Sequence, residues 1–163
     1  MDPRLRRLQA DHQQVQAAFA NHPYIRVLET QGVPPEKYVI EFRVKSLVPQ
    51  GESFTGGELH RAEIFLLMDY PRRAPFCRMI TPVFHPNIDP QKICLGDHWS
   101  AGQSLAQLAV LSSETVRACW PVWSSHIAVS YYETCLETRA HCCCIIIFAI
   151  SDIFREHVRR KSV

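Results

Sequence analysis

At 163 residues with a formal net charge of +2, the chain is one domain's worth of sequence, long enough to bury a hydrophobic core. A hydrophobic fraction of 47% and a charged fraction of 21% belong to a globular protein and exclude a disordered or fibrous one. No basic stripe interleaved with aromatics points to nucleic acid, and the longest apolar run, 142–150, is far short of a membrane span. No nucleic-acid or membrane partner is therefore expected. The polar opening, residues 1–14, predicts no secretory signal. Seven cysteines, an odd number in no disulfide spacing, predict free thiols in a reducing cytoplasm.

The opening segment predicts an amphipathic helix. Asp2 can cap it, Pro3 suits the first helical position, and Leu5, Leu8, Val15 and Phe19 share one face. His12 lies on that face and reads as a packing histidine. Asn21-His22-Pro23 ends the helix, because proline disfavours helical geometry in the residue before it.

Strand patterns follow over 24–28, 38–45, 62–68 and 76–80, with a turn at Gly32-Val33-Pro34-Pro35 and a loop over 49–57. The third is richest in apolar residues and is expected to be central. Sequential strands on short connections predict an α+β fold: an antiparallel four-stranded meander with the first helix laid across one face. Pro82, Pro86, Pro90 and Gly96 punctuate a long irregular stretch over 81–102, and such loops in compact domains are often functional. A short helix is expected over 104–111, with Leu105, Leu108 and Leu111 at helical spacing.

Beyond it the pattern changes. Only five charged residues fall between Val110 and Ile150, around Trp120, Trp123, Tyr131, Tyr132 and the run Cys142 to Ile147. Residues 1–111 are expected to form the domain, and 112–163 an atypical segment rich in cysteine and aromatics. An exposed apolar patch there is an aggregation or interaction liability.

The irregular stretch holds His85-Pro86-Asn87-Ile88, Ile93-Cys94-Leu95 and Trp99-Ser100. It places a thiol and an amide in one braced loop. A cysteine with a pKa of about 8.5, lowered by its setting, is a strong nucleophile near neutral pH. An asparagine amide can donate to the oxyanion of an acyl transfer.

Taken in order, Tyr70-Pro71, Pro75, Thr81-Pro82, His85-Pro86-Asn87-Ile88, Ile93-Cys94-Leu95 and Trp99-Ser100 resemble the core of ubiquitin-conjugating enzymes. The Phe54-x-Gly56-Gly57 turn fits as well, and the resemblance covers about residues 1–111. It implies the fold just described, with an active-site loop between the sheet and the later helix. It also implies that Cys94 accepts ubiquitin or a ubiquitin-like modifier from an activating enzyme. The modifier then passes to a substrate lysine, with or without a ligase, and no metal or organic cofactor takes part. By the same resemblance Asn87 supports the oxyanion or shapes the loop, and His85 braces it. Tyr70, Pro71 and Pro75 shape a turn, and Arg4, Arg6 and Arg7 meet the activating enzyme. Asp97, His98 and Trp99 are loop support, with proton transfer to or from Asp97 or His98 as the other role.

The resemblance has departures. One residue fewer separates Asn87 from Cys94 than is usual in the family, and Gly96-Asp97-His98 replaces the usual continuation. This compact style is similar to bacterial relatives, and the family's later helices are not recognisable after Leu111. Three other readings remain open: a non-catalytic relative that only binds modifier, a cysteine hydrolase using His85 or His98, and a zinc site. The last would draw on Cys119, His126, Cys135, His141 and Cys142 to Cys144, which lack a paired knuckle.

Overall fold

The computed structural model describes residues 2–51, 53–85, 88–89, 92–93 and 99–123. The chain opens with helix α1, Pro3–Phe19. Asp2 caps it by accepting from the Arg4 amide at 3.0 Å, and Pro3 occupies the first turn, where no amide hydrogen is needed. Its end is fixed by His22, whose Nδ1 accepts from the Tyr24 and Ile25 amides at 3.2 and 3.0 Å.

Four strands follow as one antiparallel sheet in the order β1-β2-β5-β6: β1 Ile25–Gly32, β2 Pro35–Phe42, β5 His60–Phe65 and β6 Phe76–Met79. The expected meander is present. Gly32 adopts a φ of 101°, a left-handed value open to glycine, as it pairs with Pro35 across the Val33-Pro34 turn. Leu28 is skipped in the β1–β2 register, which reads Val27 opposite Ile40 and Glu29 opposite Val39. The third predicted strand lies inside the sheet, between β2 and β6, as its apolar composition requires.

The expected loop over 49–57 is instead a second antiparallel ribbon, β3 Ser46–Gln50 and β4 Ser53–Gly57. Pro49 and the glycines made this stretch read as loop. A separate two-stranded ribbon tolerates a proline that a central strand could not accept. Two short strands, β7 Ile88–Asp89 and β8 Lys92–Ile93, make a small hairpin. The last described element, α2, is Leu105–Trp123. It begins where the short helix was expected but runs on past Leu111. The helical pattern fades there because Ser112, Ser113 and Thr115 replace apolar residues while still fitting the helix. Ser112 and Thr115 donate their hydroxyls to the Leu108 and Leu111 carbonyls, both at 2.9 Å.

One face of the sheet makes the core. Tyr38, Ile40 and Phe42 of β2, Ala62 and Ile64 of β5, and Cys77 and Met79 of β6 point into it. Leu8, Val15 and Phe19 of α1 and Leu105, Leu108, Ala109 and Val116 of α2 close it. The other face carries cross-strand charges. Glu63 bridges Lys37 at 2.8 Å and Arg78 at 2.5 Å, and Glu41 bridges Arg43 and Arg61. Lys37 and then Arg78 hold the Glu63 carboxyl below the usual range. Among the described residues no helix is long and apolar enough to cross a membrane.

Candidate active site

The site is framed by the segments that enter and leave the irregular stretch. On the entry side, Thr81 is stapled to β5: its Oγ1 accepts from the Arg61 amide at 2.9 Å. The Phe84 amide donates to the Leu47 carbonyl at 2.8 Å, and its ring lies 4.5 Å from that of Phe54. His85, 4% exposed, forms a bridge with Ile88, whose amide donates to the His85 carbonyl at 3.0 Å. Burial pushes the His85 imidazole down to about 4. A ring so held is neutral near pH 7 and a weak base there, which suits the bracing role over proton transfer.

The β7–β8 hairpin comes next, packed beside β6. Ile88 opposite Ile93 and Asp89 opposite Lys92 set its register, and both isoleucines are buried. Asn87 immediately precedes Ile88, and Cys94 immediately follows Ile93. Asn87, Cys94, Asp97 and His98 themselves lie outside the described residues. So does the whole of the 112–163 segment beyond α2, including the histidines and cysteines of the zinc reading from His126 on. Among the described residues no three His, Cys, Asp or Glu side chains are placed to hold a metal ion.

The exit side is the best-braced part of the frame. Half-buried Trp99 donates its indole Nε1 to the Pro71 carbonyl at 2.8 Å, and its ring lies 5.6 Å from that of Tyr70. Tyr70 is 2% exposed and donates its hydroxyl to Asp11 Oδ2 at 2.5 Å. Asp11 Oδ1 accepts from the amide of Leu105, the first residue of α2, at 3.2 Å. Arg7 joins the same carboxylate at 2.6 Å, and donates to the Ala101 carbonyl at 2.5 Å and to the Gln103 carbonyl. Burial alone would lower the Arg7 pKa, but the Asp11 hydrogen bond and charge, with Tyr70, raise it. Burial first, and Asp11 second, push the Tyr70 phenol up.

The three arginines of α1 thus differ. Arg7 is engaged internally, and Arg4 bridges Glu36 at 2.6 Å and donates to the Leu66 and Leu67 carbonyls. Arg6 is exposed. Asp11 was not among the expected site residues, although the signal was present. It falls on the stripe of Leu8, Val15 and Phe19, where a carboxylate must find partners if it is to be buried. Cys77 is buried on β6 with its thiol pushed up to about 12, so it is no rival nucleophile.

The helix, the four-stranded sheet and the later helix make a fold that ubiquitin-conjugating enzymes share. The family profile described as "Ubiquitin-conjugating enzyme" matches residues 7–121, and the chain belongs to that family. Among its relatives, "Ubiquitin-conjugating enzyme E2 N" of Drosophila melanogaster is 42% identical over 72 residues, covering 42% of this chain and 47% of the relative. The protein of that name from Macaca fascicularis is 39% identical over 71 residues, covering 41% and 46%. The matched stretch thus spans about half the length of these curated relatives. The solved structure of ubiquitin-conjugating enzyme E2 UbcA1 from Agrocybe aegerita shares the fold, with a TM-score of 0.56 at 20% identity, over 74% of this chain and 86% of that one. All three are eukaryotic proteins, so they lend no support to the bacterial style expected from the short Asn87–Cys94 spacing.

Proposed function

We propose that this chain carries ubiquitin, or a ubiquitin-like modifier, as a thioester on Cys94 and passes it to a lysine amine. The observation that carries this reading is the pairing of Ile88 with Ile93. Antiparallel partners stand about 5.5 Å apart or less, so Ile88 and Ile93 draw the two sides of the irregular stretch together, and in sequence Asn87 adjoins the first and Cys94 the second. The relatives' printed names favour ubiquitin as the modifier.

The chemistry is two acyl transfers. The Cys94 thiolate attacks the thioester carbonyl on the activating enzyme, a tetrahedral oxyanion forms, and the enzyme's thiolate leaves. A lysine amine then attacks the Cys94 thioester, loses a proton to solvent or a loop group, and expels the Cys94 thiolate. The product is an isopeptide bond. The Asn87 amide stabilises the oxyanion in both steps or holds the loop. His85 braces the entry to the loop, and Asp97, His98 and Trp99 support its exit, with Asp97 or His98 able to take the lysine proton. Arg6 is the α1 arginine free to meet the activating enzyme, and a ligase can bring the substrate. The domain needs no cofactor of its own, and the reducing cytoplasm keeps the thiol available.

The test is a covalent trap. Cys94→Lys, expressed in the source organism and purified under denaturing conditions, should carry a modifier joined through its C-terminal carboxylate to position 94. Peptide mass spectrometry names the modifier and the site together. A folded Cys94→Lys protein without an adduct, still retained on immobilised ubiquitin, would replace the carrier reading with the binding-only one.

A further inference from the structure

The chain that leaves the Cys94 loop is tied to distant elements as well as to its own neighbours. Trp99 follows Cys94 by five positions; between it and Leu105 the Gln103 amide donates to the Ser100 carbonyl at 2.9 Å, and the other fixed points lie on distant elements. Trp99 is tied to Pro71 and lies against Tyr70. Tyr70 donates to Asp11 Oδ2, while Asp11 Oδ1 receives the Leu105 amide. Arg7, held by the same carboxylate, donates to the carbonyls of Ala101 and Gln103. One carboxylate on α1 thus joins both ends of the 99–105 segment. It is 2% exposed, and no bulk water competes for its oxygens.

We propose that Asp11 is a positioning residue for transfer from Cys94, acting through Tyr70 and Trp99 on the exit of the loop. The inference rests on the carrier reading above. A nucleophile or leaving group displaced by about 1 Å can lose a hundredfold in rate. A segment whose distant anchors meet at one carboxylate, through Tyr70, Arg7 and the Leu105 amide, is a place where such a displacement begins. Asp11 touches neither modifier nor lysine, so its loss acts on the geometry of the step rather than on substrate affinity.

The experiment uses the full chain, loaded with ubiquitin by an activating enzyme and ATP, and follows discharge of the Cys94 thioester to free lysine. Asp11→Asn removes the charge, and Tyr70→Phe removes a single oxygen. Should the first fail to fold, the second decides the matter. Glu63→Gln, on the outer face of the sheet, serves as a control that weakens an unrelated ion-pair cluster. Circular dichroism establishes that each variant is folded at the assay temperature. The expected result is a discharge rate roughly tenfold to a hundredfold lower for Asp11→Asn and Tyr70→Phe. The lysine concentration at half-maximal rate should be unchanged, Asp11→Glu should recover part of the rate, and Glu63→Gln should discharge as the unaltered protein does. Folded Asp11→Asn and Tyr70→Phe proteins that discharge at the full rate would overturn the inference and leave the carrier reading standing. An unaltered protein that accepts no modifier would overturn both.

Discussion

A Cβ built on Gly57 would stand 2.5 Å from Cγ2 of Val48, two positions along the facing strand from its partner Ser46. That separation is well inside van der Waals contact, and Val48 is β-branched, so its methyl has little freedom to turn away. The ring of His60 closes the other side, with Cε1 at 3.1 Å. Gly57→Ala is therefore expected to destabilise the protein by about 1–3 kcal/mol, the range of overpacked sites. Gly51, with a φ of 62° and nothing within 4 Å of an added Cβ, offers the contrast. Gly51→Asn should cost well under about 1 kcal/mol, since asparagine tolerates that backbone. Urea denaturation of the two variants checks the pair, and equal midpoints would remove the steric argument.

Much of this fold was legible because its signals are local. The cap at Asp2, the apolar spacing of α1, the alternation of Tyr38, Ile40, Phe42 and Val44 with Val39, Glu41, Arg43 and Lys45, and the turn at Gly32 each depend on a few adjacent residues. The ribbon of β3 and β4 was read as loop because Pro49 and the paired glycines resemble turn residues, and only the cross-strand register shows otherwise. The extent of α2 was hidden by its serines and threonine, which satisfy their hydroxyls within the helix. At the site, His85 and Trp99 were found by motif. Asp11 was not, because its partners Tyr70 and Leu105 lie 59 and 94 positions away. The separate fates of Arg4, Arg6 and Arg7 depend likewise on carbonyls remote in sequence.

The burial of His85 has a consequence for acid stability. Its pKa falls from 6.5 to about 4 on folding, because desolvation disfavours the imidazolium. The unfolded chain therefore takes up the proton first as the pH drops. The contribution is whole above about pH 6.5, declines between about 6.5 and 4, and is level below that, for a total on the order of 3 kcal/mol. His60, lowered by its own burial, adds to the same limb. His85→Gln should flatten the stability profile between pH 6.5 and 4 relative to the unaltered protein, although its value at neutral pH will be lower. Chemical denaturation at half-unit pH intervals measures this, and parallel profiles would show that His85 is not held neutral.

The arginines of α1 should separate in their effects. Arg7→Ala strips the partly buried Asp11–Tyr70 cluster of its cation and frees two carbonyls, with an expected cost of about 2–4 kcal/mol. Arg6 is exposed, so Arg6→Glu should change stability by less than about 0.5 kcal/mol. If the activating enzyme reads this face through complementary charge, the same reversal should slow loading of Cys94 several-fold, more so at low salt. Thermal denaturation reads the first effect and a thioester-loading time course the second. Loading that is indifferent to Arg6→Glu at every salt concentration moves the contact away from this residue.

Cys77 provides the last check, because it separates a reactive thiol from an inert one in the same molecule. Its side chain is 1% exposed between Ile64 and the core, and burial raises its pKa to about 12. At pH 8 only about one molecule in ten thousand would hold it as thiolate. Lack of access slows reaction further, so iodoacetamide should leave Cys77 unmodified in the native protein. Labelling should then rise with urea along the same curve as the loss of circular dichroism, since the buried thiol is exposed only when the core opens. Quantitative peptide mass spectrometry follows each cysteine on its own. The same digest of thioester-loaded protein should place the modifier on Cys94 and none on Cys77. Native-state alkylation of Cys77 at the unfolded rate would mean that β6 opens far more readily than its place in the core allows.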